Sequence, residues 1–128
     1  YVIIYGQINP IEYMPKIDFT ILTSISEGQP LTILESFAAR RPVVCTNVGC
    51  CKELIEGHND GIGKAGICCT PMDISGITRA MITLCENKDL RKKFGENGLE
   101  RVKKNYTYDK MINGYFELYE KGIKNWQE

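Results

Sequence analysis

The 128-residue sequence lacks an excess of either charge, because sixteen lysines and arginines balance sixteen aspartates and glutamates. No strongly basic surface is therefore expected that would attract nucleic acid or an anionic membrane. Long hydrophobic runs are missing as well: YVIIY and GICC are far shorter than the roughly 18 residues that a membrane span needs. These absences argue against a nucleic-acid partner and a stable membrane span, and we expect a cytoplasmic protein.

The sequence also has little of the usual metal-binding chemistry. Its one histidine, His58, lies in the polar stretch EGHNDGIG and is expected to be a solvated loop residue rather than a ligand or a base. The six cysteines include two vicinal pairs and no C-x-x-C spacing, which is a poor arrangement for zinc. Because Cys45, Cys68 and Cys69 fall in strand-like runs, we expect reduced thiols that act as small buried hydrophobes.

What the sequence does contain is an alternation of short apolar runs and helix-like segments. The runs predict four parallel strands covered on both faces, near residues 1–5, 18–23, 42–46 and 66–69. Residues 30–40 have apolar side chains at helical spacing, with Pro30 in the first turn, and CKELIEG predicts a shorter helix that ends at Gly57. The alternation predicts an α/β fold, with a parallel sheet between helical layers.

The last third of the sequence changes to a purely helical pattern. It predicts three helices, in DISGITRAMITLCENK, KDLRKKFGENGLERVKKNY and TYDKMINGYFELYEKGIKNWQ. Asp73 is expected to cap the first of them, and Thr107 or Asp109 the last. The charges of the second segment alternate in sign, as on a solvated helical face.

Two carboxylates stand eight positions apart in SEGQPLTILESF, Glu27 before the predicted 30–40 helix and Glu35 inside it. In an open parallel sheet, ligands bind where the carboxyl ends of strands meet helix N-termini, and such a terminus suits a phosphate. Glu35, on the same face as Leu31, can then accept hydrogen bonds from ribose hydroxyls, while Glu27 reaches another polyol beyond the phosphates. The simpler alternative, an exposed helix residue and a turn residue, is favoured by the spacing alone.

The longer stretch SISEGQPLTILESFAARRPVVCTNVGCCKELIEG resembles the donor-binding core of family 4 retaining glycosyltransferases. This family has the GT-B architecture of two Rossmann-like domains. The E-x7-E spacing, the PVV strand, the NVG turn and the KELI helix occur in the family's order, and the similarity continues through ERVKKNYTYDKMINGYFELY. SISEGQP and the insertion NDGIG are especially similar to the branch associated with Pel-type exopolysaccharide synthesis. The resemblance implies that residues 1–128 form the latter part of the nucleotide-sugar-binding C-terminal domain.

The resemblance also implies a role for each residue of the motif. Glu27 is the catalytic residue and contacts the donor hexose, and the loop around sugar and phosphate is shaped by Gly28, Gln29 and Pro30. The amides of Leu31 and Thr32 bind the diphosphate, and Glu35 holds the ribose.

Two departures from the family pattern stand close to the motif. Arg40 occupies a position where the family usually has glycine, and Cys50 and Cys51 replace commoner small or polar residues after NVG. Both departures lie outside the two glutamates, although Cys50 is near the predicted site.

A D-x-D sequence is absent, so the sequence does not support a metal held by paired aspartates, and no cofactor is expected. A helix dipole and basic groups are instead expected to neutralise the departing nucleotide diphosphate. In the family, the phosphate-binding Arg and Lys and the acceptor domain lie upstream, and this sequence begins at Tyr1 without Met. We therefore expect an inactive fragment of a hexosyltransferase that uses a UDP-sugar, with a carbohydrate or lipid-linked acceptor bound by the missing N-terminal domain.

Two alternatives remain open from the sequence. One is a non-catalytic doubly wound α/β binding module, and the other is a nucleotide-sugar epimerase of related architecture. A receiver-type module would have acidic residues and a lysine at its strand ends, whereas these strand ends carry TS, TNVG and TP.

Overall fold

The computed structural model describes residues 2–126 and contains a three-stranded parallel sheet. Its strands are β1 Thr20–Leu22, β2 Val43–Thr46 and β3 Gly66–Cys69, in the order β1-β2-β3. Both strand pairs are parallel, and the register aligns Leu22 with Cys45 and Cys45 with Cys68. The strands predicted near 18–23, 42–46 and 66–69 and their parallel pairing are thus confirmed.

Helices precede, separate and follow the strands. The helices are α1 Pro10–Tyr13, α2 Leu31–Ala38, α3 Cys51–Glu56, α4 Ile74–Glu86, α5 Lys88–Asn105 and α6 Tyr108–Trp126, with a 3-10 turn at Met14–Lys16. The helical last third is confirmed, while α1 and the 3-10 turn were not predicted. The predicted last helix included Gln127, which lies outside the described residues.

Local capping chemistry accounts for several helix boundaries. The Asp73 carboxylate accepts a hydrogen bond from the Gly76 N–H at 2.8 Å and caps α4, as predicted. Of the two candidates at the start of α6, Thr107 provides the cap, because its hydroxyl accepts from the Lys110 N–H at 3.3 Å. Gly57 ends α3 at a φ of 79°, a conformation that glycine adopts without strain.

The core lies on both faces of β2, whose four residues are all buried. On one face a buried cluster joins β2 to α2 and α3, and it includes Cys45, Phe37 and Leu54. On the other face Val44 packs against α4 in a cluster with Leu84. The nearly continuous apolar run PVVCT therefore indicated the right environment, a central strand between helical layers.

The predicted strand near residues 1–5 is wrong. Residues 2–5 have no strand hydrogen bonding, and the side chains of Val2 and Ile4 are each 90% exposed. A strand exists only through hydrogen bonds to a neighbouring strand, and none of the described residues pairs with this segment. Apolar composition alone could not reveal this, and Tyr1 itself lies outside the described residues.

Arg40 adopts the left-handed conformation at a φ of 57°, which accounts for the glycine that the resemblance leads us to expect at this position. It follows the C-cap of α2, and its N–H donates to the Phe37 carbonyl at 2.9 Å. The next N–H, of Arg41, donates to the Ser36 carbonyl at 2.8 Å. These two bonds are those of a Schellman motif, so the helix ends here in the usual way despite the arginine.

The prediction that the charged run of α5 is a solvated face is wrong at Arg101, whose side chain is only 1% exposed. Its Nε donates to the Asp60 carboxylate at 2.6 Å, and its Nη1 donates to the carbonyls of Leu54 and Ile55 at 3.0 and 3.1 Å. Its Nη2 also donates to the Gly63 carbonyl. A buried charge is stable only when it is paired and hydrogen-bonded, and these partners come from the end of α3 and the following loop.

Candidate functional site

The N-terminus of α2 lies at the end of the loop that leaves the carboxyl end of β1. The helix begins at Leu31, and Pro30 is its N-cap rather than a residue of its first turn, because its ψ of 117° is extended. Among the described residues, no side chain caps this terminus, and Leu31 is 69% exposed. The amides of Leu31 and Thr32 belong to the first turn, where an α-helix supplies no carbonyl partner. The terminus is therefore open to a ligand that accepts hydrogen bonds.

Glu27 is half-buried in the loop before α2, and its carboxylate is held by a neighbouring hydroxyl. The Ser24 Oγ donates to Glu27 Oε1 at 2.6 Å. The carbonyl of Ser24 accepts in turn from the Thr46 hydroxyl at the end of β2. The side chain of Glu27 is thus tied to its own loop, and the loop is tied to the central strand.

The turn between β2 and α3 lies against the same loop. The N–H of Cys50 donates to the Gly28 carbonyl at 3.2 Å, so Cys50 lies beside the loop that contains the predicted site residues. Gly28 and Gln29 are both exposed. The loop therefore has a fixed inner side and an open outer side.

Glu35 is exposed on α2, where it lines a cavity of about 410 Å³. The other lining residues come from α2, from α1 with its N-cap and from the 3-10 turn, and they include Asn9, Ile11, Met14 and Ala38. The cavity is mainly apolar in composition, and Glu35 is its one carboxylate among the lining residues that the structure describes. The sequence patterns did not predict this cavity, because they did not predict α1, which lines one side of it.

Glu27 is not one of the residues that line the Glu35 cavity. The structure brings Glu27, Leu31 and Thr32 to the end of β1 and the start of α2, and it puts Glu35 one turn further along the helix. The prediction that both carboxylates open onto one cleft stays a prediction.

The six cysteines lie within the described residues and are free thiols, as expected. Cys45, Cys51 and Cys69 are buried. Burial raises the pKa of each of these thiols, and it also raises the pKa of Cys50 at the edge of the site. The thiols are therefore protonated near neutral pH.

His58 is exposed in its loop, as predicted.

Residues 2–126 contain neither a cluster of metal-ligand side chains nor a helix that could span a membrane. No group of three or more His, Cys, Asp or Glu side chains is arranged to hold a metal ion in this part of the chain. None of the described helices is long and apolar enough to cross a membrane.

Comparison with known proteins connects this geometry to a family. The model of the family described as "Glycosyl transferases group 1" matches residues 1–101. An uncharacterized glycosyltransferase of Methanocaldococcus jannaschii is 33% identical over 109 residues, which cover 84% of this chain and 29% of that protein. N-acetyl-alpha-D-glucosaminyl L-malate synthase of Bacillus anthracis is 29% identical over 113 residues, which cover 88% of this chain and 28% of that protein.

A solved structure shares the fold. Sucrose-phosphate synthase from Thermosynechococcus elongatus superimposes with a TM-score of 0.77 at 19% sequence identity, over 88% of this chain and 27% of that one. The chain thus spans less than a third of the length of these relatives. The family match over residues 1–101 shows that the chain belongs to the glycosyl transferases group 1, and its parallel sheet with flanking helices is part of the Rossmann-like C-terminal domain of a GT-B fold.

Proposed function

We propose that this chain holds the donor in a hexosyltransferase, and that the parent protein moves a hexose from a nucleotide-diphosphate sugar to an acceptor with retention of configuration. The observation that carries the proposal is the open N-terminus of α2, which stands at the carboxyl end of a parallel strand with Glu27 before it and Glu35 inside it. This is the place where open α/β sheets bind ligands. The family match favours a transferase over a non-catalytic binding module or an epimerase.

The diphosphate would bind at the first turn of α2. The amides of Leu31 and Thr32 donate hydrogen bonds there, and the positive end of the helix dipole favours a doubly charged group. These dipoles stabilise the charge that develops on the nucleotide diphosphate as the glycosidic bond breaks. Basic groups from the rest of the parent would complete the neutralisation, since this terminus has no cationic side chain in its first turn, Leu31 to Ile33.

The two glutamates would hold the sugars on either side of the diphosphate. Glu35 accepts hydrogen bonds from the ribose hydroxyls beside its mainly apolar cavity. Glu27, fixed by Ser24, contacts the hexose that moves and is the proposed catalytic residue. Gly28, Gln29 and Pro30 complete the loop around the sugar, where two exposed residues and a rigid N-cap leave room for it.

Donor and acceptor identities are part of the proposal. We infer a UDP-sugar as donor and a carbohydrate or lipid-linked acceptor, in exopolysaccharide synthesis of the Pel-type branch and in the cytoplasm. Two similar proteins are, by name, an N-acetyl-alpha-D-glucosaminyl L-malate synthase and a sucrose-phosphate synthase, so the products in the relatives' names differ. Acceptor binding is assigned to the part of the parent that this chain does not include.

The ribose role is tested by Glu35→Ala in the full-length parent. Loss of a charge-assisted hydrogen bond should cost on the order of 1.5 to 3 kcal/mol, which lowers nucleotide affinity roughly ten- to a hundred-fold. Isothermal titration with uridine and guanosine diphosphates measures the change and identifies the base. Glu100→Ala, which removes an exposed carboxylate on α5, is the matched control. Unchanged nucleotide affinity in Glu35→Ala would refute the ribose role.

The hexose role is tested by Glu27→Ala in the same parent. Because the proposed contact is with the group that moves, kcat should fall much more than nucleotide affinity. The anomeric configuration of the product, followed by NMR, tests retention separately. A product of inverted configuration would exclude the retaining mechanism, and full turnover of Glu27→Ala would exclude the catalytic role.

A further inference from the structure

Gly49, in the turn between β2 and α3, makes an unusually close approach to the loop that contains Glu27. The backbone of Gly49 is left-handed, at a φ of 50°. A Cβ atom at this position would overlap the carbonyl oxygen of Glu27 and would lie 2.7 Å from that of Gly28. Real Cβ atoms do not approach backbone oxygens so closely. A side chain at position 49 must therefore displace the backbone of Glu27 or the turn itself.

Two hydrogen bonds hold the same surfaces together on either side of Gly49. The Thr46 hydroxyl donates to the Ser24 carbonyl, and the Cys50 N–H donates to the Gly28 carbonyl at 3.2 Å. Thr46 is buried, with 2% of its surface exposed, so its hydroxyl has no access to solvent as an alternative partner. The end of β2 and the turn after it thus contact the Glu27 loop at three points.

We propose that the β2–α3 turn sets the position of Glu27, and that Gly49 and Thr46 are positioning residues for hexose transfer. The inference rests on the proposed role of Glu27. Glu27 lies in a loop, and a loop carboxylate that contacts a reacting sugar needs a rigid backing to keep its geometry. Glu35 is held differently, because it lies in α2. No backbone hydrogen bond joins the β2–α3 turn to Glu35 in the described part of the chain. Displacement of the turn should therefore affect turnover and spare nucleotide affinity.

The test compares three glycine variants of the full-length parent. Gly49→Ala introduces left-handed strain and overlap with the Glu27 loop. Gly61→Ala introduces the strain alone, since its φ is 73° and a Cβ there meets open space. Gly57→Ala introduces strain and overlap away from the loop, because its φ is 79° and its Cβ would lie 2.7 Å from the Asp60 carboxyl carbon. Thermal unfolding of each variant shows how much fold stability it loses.

For Gly49→Ala we expect kcat to fall about ten- to a hundred-fold, since misplacement by about 1 Å can have this effect, with little change in nucleotide affinity. The Cys50 amide should also lose protection from hydrogen exchange. Gly61→Ala and Gly57→Ala should keep kcat below their unfolding temperatures. In a Glu27→Ala background, Gly49→Ala should lower kcat little further, because the two changes act through the same group.

Thr46 provides a second pair of variants that do not depend on a glycine. Thr46→Val removes the hydroxyl at nearly constant volume and should lower kcat. Thr46→Ser keeps the hydroxyl and should keep kcat close to that of the wild type. Equal kcat losses in Gly49→Ala and Gly57→Ala, or a loss in Thr46→Ser equal to that in Thr46→Val, would show a merely structural role. If Gly49→Ala does not fold, the Thr46 pair decides the question.

The outcome for Glu27→Ala separates this inference from the proposed function. Low turnover in Glu27→Ala with full turnover in Gly49→Ala and Thr46→Val would overturn the positioning role alone. Full turnover in Glu27→Ala would overturn the catalytic role of Glu27 and the positioning role with it.

Discussion

At the scale of single residues, Arg101 has the largest gap between its local sequence and its environment. It lies in a run of alternating charges, yet its guanidinium is enclosed between α5, the end of α3 and the loop that contains Asp60. The planar guanidinium suits this position because it donates to a carboxylate and to helix C-terminal carbonyls at once. Its partner Asp60 is 6% exposed at the side chain, so the pair is shielded from water.

The Asp60 carboxylate should make the stability of the chain depend on acid pH. The hydrogen bond from Arg101 lowers the pKa of Asp60 below its ordinary value of 3.8. A lowered pKa stabilises the fold above pH 3.8, and this stability is lost as the pH falls through the folded-state pKa. In Asp60→Asn, the loss of the anionic partner should cost about 3 to 5 kcal/mol at pH 7 and flatten the pH dependence below about pH 4.

Urea unfolding of both proteins between pH 7 and acid pH measures the effect. Glu117→Gln, which neutralises an exposed carboxylate in the middle of α6, is the control and should keep the wild-type profile. A wild-type slope in Asp60→Asn under acid conditions would show that this pair does not control the pH dependence.

At the scale of elements, α2 is fixed by a chain of buried hydroxyls as well as by apolar packing. Thr20 of β1 and Ser36 of α2 are within hydrogen-bond distance at 2.8 Å, and the Ser36 hydroxyl donates to the Arg41 carbonyl at 2.9 Å. Since Ser36 has one hydroxyl proton, Thr20 is the donor to Ser36. These hydrogen bonds join β1, the strand before the candidate site, to α2, the helix that contains Glu35.

Ser36→Ala should lower the free energy of unfolding by about 1 to 3 kcal/mol, because it leaves the Thr20 hydroxyl and the Arg41 carbonyl without their partner. The double variant Thr20→Val/Ser36→Ala should lose less stability than the sum of the two single losses, since both hydroxyls belong to the same series of hydrogen bonds. Ser75→Ala, at an exposed position in the first turn of α4, is the control. Additive losses, measured by urea unfolding, would contradict this account of how α2 is attached to β1.

The packing of α5 against α2 depends on two glycines of α5. A Cβ on Gly98 of α5 would lie 2.6 Å from the Phe37 ring, and one on Gly95 would overlap the Arg40 carbonyl. The two glycines therefore let α5 approach α2 closely. Helical periodicity predicted both helices, but it did not identify them as neighbours.

At the scale of the whole molecule, the chain corresponds to less than a third of the relatives that it matches. The proposed site provides an open helix terminus and two carboxylates for the donor. A complete transferase must also bind an acceptor and neutralise the leaving diphosphate. We assign both tasks to the remainder of the parent.

The purified 128-residue chain should therefore not transfer hexose, although it can still bind a nucleotide weakly. A radiolabelled-sugar assay beside the full-length parent measures this, with circular dichroism to show that the chain is folded. Labelled product from the chain alone would contradict the assignment of acceptor binding to the rest of the parent.

From residue 18 onward, the sequence by itself determined the strands and helices and their order. Short, nearly continuous apolar runs identified the three parallel strands, and helical periodicity identified the helices from Leu31 onward. The positions of Glu27 and Glu35 around a helix start followed from the same patterns. Pro30 and Asp73 were recognisable because a boundary depends on residues within one turn. Each of these features is local, so neighbouring residues carry the information.

Only the tertiary structure decided which groups meet across the chain. Val2 to Tyr5 have the composition of a strand but no partner strand among the described residues. Arg101 is buried because Asp60, 41 positions away, lies beside it, and Gly49 backs Glu27 although the two are far apart in sequence. Such contacts depend on how strands and helices pack around β2, and packing distance is not a periodic property of the sequence.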